Sequence, residues 1–186
     1  MRVISGKAKG FKLESPKNMS TRPTSDRVKE SVFNTIQGDI YDKTIIDLYS
    51  GTGSLGIEAL SRGARRAYFI ENSRKCIKII ERNLRKTQLL SKSNIICADV
   101  IRAIIKLAKK NIKADIIFLD PPYNKNLARG TIEYICKYEL LNPMGIIIIE
   151  HGKKENLPKE IDKTISFKGK YFGNTGVSFY RQKEEV

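Results

Sequence analysis

Asp120-Pro121-Pro122-Tyr123 closes the apolar run Asp115-Ile116-Ile117-Phe118-Leu119, which reads as a buried parallel strand. An acidic turn at the carboxyl end of such a strand lies where open α/β sheets keep their chemistry. The two prolines fix φ and offer no N–H, so the Pro121 carbonyl can be held outward beside the Asp120 carboxylate, with the Tyr123 ring next to both. Two acceptors and a flat ring suit the planar amine of a nucleobase. The lone pair of such an NH2 is delocalised into the ring, and accepting both N–H protons would aim it at an electrophilic methyl group and take up the developing positive charge. Tyr123 would stack on the base, worth about 1–3 kcal/mol. Asp and Pro also punctuate ordinary loops, so the turn needs support from elsewhere in the chain.

That support is Thr44-Ile45-Ile46-Asp47-Leu48-Tyr49-Ser50-Gly51-Thr52-Gly53-Ser54-Leu55-Gly56-Ile57-Glu58-Ala59-Leu60, a strand, a glycine turn and a helix start. Gly51-x-Gly53-x-x-Gly56 fits the dinucleotide fingerprint, and Glu71 ends the next apolar run 20 residues after Gly51, where that fold keeps its ribose acid. The glycines alone therefore leave NAD and other adenosine cofactors open. Asp47, at the mouth of the turn, would repel a pyrophosphate but attract an α-amino group or a sulfonium, which favours S-adenosylmethionine. Asp99 follows the run Ile95-Ile96-Cys97-Ala98 and could accept from an adenine amino group. Four successive strands thus end in Asp47, Glu71, Asp99 and Asp120, although each acid taken singly also suits a helix cap or a solvated turn.

With these motifs in view, the sequence resembles the class I S-adenosylmethionine-dependent methyltransferases, and among them the RsmD-type enzymes that methylate the exocyclic N2 amine of a guanine in bacterial 16S ribosomal RNA. The likeness runs nearly end to end. It rests on Arg2-Val3-Ile4-Ser5-Gly6, Gly10-Phe11-Lys12-Leu13, Arg22-Pro23-Thr24-Ser25-Asp26-Arg27-Val28-Lys29-Glu30-Ser31-Val32-Phe33-Asn34, Asp47 to Gly56 and Asp120 to Tyr123. The last two segments are shared by many amino-methyltransferases; the others are narrower. The resemblance implies that Asp120, Pro121, Pro122 and Tyr123 hold the target amine. It implies a cofactor seat of Asp47, Gly51, Thr52, Gly53, Glu71, Asn72, Asp99 and Val100. Arg2, Lys7, Lys9, Lys12, Arg22, Thr24 and Arg27 are the candidate RNA contacts, and the substrate it implies is ribosomal RNA within a protein-bearing small-subunit particle. A DNA adenine or cytosine amino-methyltransferase shares the same turn, and a non-catalytic ribosome assembly factor could retain the same fold.

The elements that must position these residues are legible as an alternation. Apolar runs begin near residues 44, 66, 94, 115 and 145, separated by helical stretches at Cys76 to Leu89 and Val100 to Lys109, so a mostly parallel sheet with right-handed crossovers is expected. Lys163 to Lys170 and Gly176 to Arg181 flank Phe172-Gly173-Asn174-Thr175 and read as an antiparallel C-terminal hairpin at the sheet edge. Dinucleotide folds normally end on parallel strands, whereas the methyltransferase fold ends on such a hairpin. The sum is a single α/β, Rossmann-like class I methyltransferase domain over 1–186, with a seven-stranded sheet. Residues 1–20 form a basic N-terminal β-hairpin extension, and 21–186 carry the cofactor and the chemistry. A helix starting near Thr24 or Ser25 should bury Val28, Val32, Phe33 and Ile36 on one face. Arg22 to Lys29 could fold over the cofactor or contact the substrate backbone.

Composition agrees with a polyanionic partner: the 186 residues carry a formal charge of +15, and a basic surface attracts nucleic acid. Residues 1–29 hold eight Lys or Arg against Glu14 and Asp26, a charge excess that could line phosphates. No apolar run nears the roughly 20 residues that span a bilayer, and no signal core is evident at the N-terminus, so a cytoplasmic location is expected. Cys76, Cys97 and Cys136 sit in apolar patterns at unrelated spacings, which reads as buried reduced thiols. The one histidine, His151, has no triad or ligand cluster around it, and neither a metal nor a covalent intermediate is expected.

Overall fold

The computed structural model describes residues 1–16, 25–122, 127–155 and 157–183. Five strands, β1 (Thr44–Leu48), β2 (Arg66–Glu71), β3 (Ser93–Cys97), β4 (Ala114–Leu119) and β5 (Leu141–Gly152), alternate with helices α2 (Ser54–Ser61), α3 (Arg74–Lys86), α4 (Val100–Lys109) and α5 (Leu127–Lys137). Helix α1 (Asp26–Thr35) precedes them, and β6 (Glu160–Ile161), β7 (Thr164–Phe172) and β8 (Thr175–Gln182) follow. All eight strands form one sheet in the order β3-β2-β1-β4-β5-β8-β7-β6. The first five pair in parallel and the rest antiparallel.

The central strands read as unbroken apolar runs because helices cover both faces of the sheet. Ile45, Phe69, Ile116, Phe118, Ile148 and Phe179 pack beneath α1, α2 and α3. Their neighbours Ile46, Ile70, Ile117, Leu119, Ile147 and Ile149 pack beneath α4 and α5. Helix α1 begins where expected: Ser25 caps it by accepting from the Val28 N–H at 3.3 Å, and Val28, Val32, Phe33 and Ile36 are all buried.

Four expectations need correction. The sheet has eight strands rather than seven, since β6 adds two residues at its edge, too short to leave an alternation in the sequence. The hairpin turn is present, but β8 lies between β5 and β7 rather than at the edge. Residues 1–14 reverse direction through Gly6 (φ 83°) and Gly10 (φ 87°), yet they pair only by the bridge of Arg2 with Lys12 and a few further bonds such as Val3 N–H to the Phe11 carbonyl at 3.0 Å. The backbone donors a second ladder would need are spent on α2: Ile4 and Ser5 donate to Glu58 at 2.8 and 3.0 Å, and Ala8 to Ser61 Oγ at 2.9 Å. Cys76 and Cys136 are buried free thiols, whereas Cys97 is exposed, because β3 is an edge strand with a half-open face.

Candidate active site

Asp47 lies in β1 between Ile46 and Leu48 and is buried. Its side chain does not stand at the mouth of the turn as expected. Strand alternation turns it toward α2, where Oδ2 accepts the Gly56 N–H at 3.0 Å. Burial pushes its carboxyl up to about 8, the Gly56 hydrogen bond opposes that, and the nearby Glu71 charge adds to it. Gly56 is required by this contact: a Cβ there would come within 2.4 Å of the Phe69 ring and 3.1 Å of Asp47 Oδ2.

After β1 the chain folds tightly over itself. Tyr49, Gly51 and Gly53 all take positive φ, 58°, 54° and 77°. The turn is tied by Ser50 Oγ to the Asp47 carbonyl at 2.5 Å and by Gly53 N–H to the Ser50 carbonyl at 2.7 Å. Glu71, at the end of β2, holds it from the side, accepting Gly51 N–H on Oε2 at 3.0 Å and Ser73 N–H on Oε1 at 2.8 Å. A Cβ on Gly51 would meet nothing nearer than the Tyr49 carbonyl at 3.9 Å, so the backbone there lies open to a ligand. Gly53 opens α2 as its N-cap, which directs the helix's unpaired N–H groups and the positive end of its dipole toward the turn. An adenosine cofactor with acid-binding hydroxyl and amino groups fits this donor set: open glycine backbone, Glu71 beside it and Asp47 beneath it.

The other seat candidates differ in environment. Asn72 is exposed and Val100 is packed beneath the sheet. Asp99 is exposed and caps α4, its Oδ1 accepting Ile101 N–H at 2.9 Å and Arg102 N–H at 3.4 Å. Thr52 is buried, and its carbonyl accepts from the Asn83 side chain at 3.0 Å.

Parallel pairing sets the acidic turn beside the glycine turn. Leu48 of β1 is in register with Leu119 of β4, and the Asp120 N–H reaches the Leu48 carbonyl at 3.5 Å. Asp120 therefore follows β4 one strand spacing, about 4.8 Å, from the start of the glycine turn. Asp120 is partly buried, Pro121 buried and Pro122 exposed. Tyr123 lies outside the described residues, as do Arg22 and Thr24.

Arg2, Lys7, Lys9, Lys12 and Arg27 are exposed. Arg2 is drawn to Asp26, with Nε 3.8 Å from Oδ2. The Lys7 N–H bonds the Ser61 carbonyl at 2.8 Å, so the Gly6–Gly10 reversal lies at the far end of α2 from the glycine turn. Lys29 departs from the expected basic surface. It is fully buried, 3.4 Å from Glu58 and 2.5 Å from the Arg2 carbonyl, and it fixes the arm rather than facing solvent. Burial lowers its pKa while Glu58 opposes that shift. Sequence reasoning also passed over Asn83 and gave Tyr49 no role of its own. Tyr49 is half-buried, its hydroxyl 3.2 Å from Thr131 Oγ1 on α5; burial raises its pKa. A bulky residue at positive φ is an outlier that would have singled it out, but that signal exists only in the folded chain.

A glycine turn after β1, acids at neighbouring strand ends and a parallel sheet completed by an antiparallel tail define a Rossmann-like methyltransferase fold. The family model described as "Conserved hypothetical protein 95" matches residues 1–181. The chain belongs to this family, the RsmD family. It is 38% identical over 184 residues to YlbH of Bacillus subtilis (strain 168), provisionally named an rRNA methyltransferase, covering 98% of this chain and 100% of that protein. It is 34% identical over 158 residues to ribosomal RNA small subunit methyltransferase D of Escherichia coli (strain K12), covering 85% and 78%. The solved structure of yhhF from Escherichia coli, provisionally titled a methyltransferase, superposes with a TM-score of 0.85 at 30% identity over 100% of this chain and 99% of that one.

Proposed function

We propose that this protein methylates the exocyclic N2 amine of a guanine in small-subunit ribosomal RNA, with S-adenosylmethionine as its cofactor. The coarser part of this reading, an rRNA methyltransferase, has the support of relatives so named along most of the chain. The observation that carries the chemistry is the β1–β4 register, which brings Asp120 beside the glycine turn. When bound, S-adenosylmethionine supplies an electrophilic methyl on a sulfonium.

The chain's own residues do the remaining work. Glu71 and the Gly51–Gly53 backbone hold the adenosine end, and Asp47 supports the turn from below through Gly56. Asp120 and the Pro121 carbonyl accept the two N–H groups of the guanine amine, and Tyr123 stacks on the base. The base leaves its stack to reach this turn, at a cost of a few kcal/mol that stacking and phosphate contacts offset. Holding nitrogen and methyl in line supplies much of the roughly 7–11 kcal/mol available from positioning. Arg2, Lys7, Lys9, Lys12, Arg22, Thr24 and Arg27 hold the RNA backbone, within an assembled small-subunit particle.

The test is methyl incorporation from radiolabelled S-adenosylmethionine into deproteinised small-subunit rRNA, small-subunit particles and duplex DNA, followed by mapping of the labelled nucleoside. N2-methylguanine at one rRNA position, formed best in particles, is the expected result. Label in DNA adenine or cytosine, or binding of particles without any transfer, would replace this reading.

A further inference from the structure

Asn83 stands in the last turn of α3, has no exposed surface, and spends its whole side-chain amide on two other segments. Its Nδ2 donates to the Thr52 carbonyl at 3.0 Å and to the Glu14 carbonyl at 3.1 Å. Its Oδ1 accepts the Glu14 N–H at 2.8 Å. Asparagine is a poor helix residue because it competes for backbone bonds, and here it makes those bonds across space. Thr52 sits between the two positive-φ glycines of the turn, and Glu14 closes the N-terminal arm. Neighbours of Asn83 at the same end of α3 hold the same stretch of arm: Arg82 Nε lies 2.8 Å from Glu14 Oε2, and Lys86 Nζ 2.9 Å from the Lys12 carbonyl.

We propose that Asn83 is a positioning residue that couples the cofactor turn to the basic arm, so that filling the turn tightens the arm and an RNA-engaged arm tightens the turn. This rests on the reading of residues 51–53 as the cofactor seat. The physical basis is that one planar amide serves both partners at once. A ligand that fixes the Thr52 peptide fixes the orientation of the Asn83 amide, and with it both backbone groups of Glu14. Coupling of this kind is reciprocal, and its usual size is about 5- to 150-fold in affinity.

The test is hydrogen exchange of the full chain with and without S-adenosylhomocysteine, read over residues 1–13 and 50–57. In the wild type the ligand should slow exchange in both segments, the arm by about 5-fold or more. In Asn83→Leu, which keeps bulk and removes the amide, the turn should still be protected while the arm no longer responds. Glu14→Pro cuts the Glu14 N–H bond from the arm side, leaves α3 unaltered, and keeps the inference testable if Asn83→Leu does not fold. Glu14→Ala removes the Arg82 ion pair but retains the backbone N–H, so it should behave like the wild type. An arm indifferent to the ligand in the wild type, or still fully responsive in Asn83→Leu or, where that variant does not fold, in Glu14→Pro, overturns the coupling. Absence of protection at residues 50–57 in the wild type would instead remove the seat on which the coupling depends.

Discussion

Two carboxylates that look alike in the sequence are enclosed to different degrees, Asp47 fully and Asp120 in part. On the proposed roles, Asp120 acts on the target amine, so Asp120→Ala should lower kcat by about 10²–10³-fold, the scale of a lost electrostatic contact in a preorganised site. Affinity for S-adenosylhomocysteine, measured by calorimetry, should change less than about 2-fold by the same reasoning. Asp120→Asn should be milder, since its carbonyl still accepts one N–H. Asp47 is held mostly protonated at neutral pH by burial, with its pKa up to about 8. The unfolded chain releases that proton near pH 4, so the folded state binds more protons between about pH 4 and 8, and the group's contribution to stability falls as pH rises through that window. Asn keeps an acceptor for the Gly56 N–H but no proton to lose. Asp47→Asn should therefore gain stability over wild type as pH climbs from about 4 to 8, in urea unfolding, while binding S-adenosylhomocysteine more weakly.

Elements differ in how far the sequence gives them away. The strands were legible because sheets covered on both faces demand apolar runs, and β1, β2, β3 and β4 begin within a residue of where those runs do. Helix α5 was not, because its buried stripe mixes Ala128 and Thr131 with Ile132 and Ile135, and its polar positions dilute the period. The arm was legible as a reversal but not as a pair of strands, since its partners are Glu58, Ser61 and Asn83, none of which announces a contact with residues so distant. The buried charge of Lys29 was illegible for the same reason: its partner Glu58 lies 29 positions away. Within the site, the juxtaposition of the two turns follows from parallel order, and the inward turn of Asp47 from strand alternation, which sets it on the same face as Ile45; which of the strand-end acids caps a helix, as Asp99 does for α4, is fixed only in the folded chain. Two helical glycines show what packing adds. Gly56→Ala on α2 would meet the Phe69 ring at 2.4 Å, and thermal or urea unfolding should report a loss of about 1–3 kcal/mol from overpacking. Gly130→Ala on α5 meets nothing within 4 Å and should instead gain about 0.5–1 kcal/mol by relieving backbone entropy.

For the whole molecule, total charge and charge placement are separate quantities. The +15 formal charge counts Lys29, yet that side chain is enclosed against Glu58 while Lys7 is exposed. Lys7→Met should leave stability within about 0.5 kcal/mol. On the proposed RNA contact, it should flatten the dependence of log K on log salt by about 0.7 for RNA binding. Lys29→Met should do the reverse: Arg62 still pairs with Glu58 at 2.8 Å, so the loss is about 1–3 kcal/mol, from the Arg2 carbonyl and Glu58 Oε2 each losing the buried ammonium, with an unchanged salt slope. Filter binding across a salt series, together with urea unfolding, separates the two.

Strand order sets a further demand on how the molecule is made. β8 lies between β5 and β7 although it follows both in sequence. Until residues 175–182 have emerged from the ribosome, the Ile146–Ile149 stretch of β5 has no partner on that side, and the β6–β7 pair has nothing to join it to the rest of the sheet. During synthesis the nascent chain therefore carries an open, isoleucine-rich edge, the kind of surface on which copies pair with one another. Inserting β8 both seals that edge and joins the β6–β7 pair to the parallel half of the sheet.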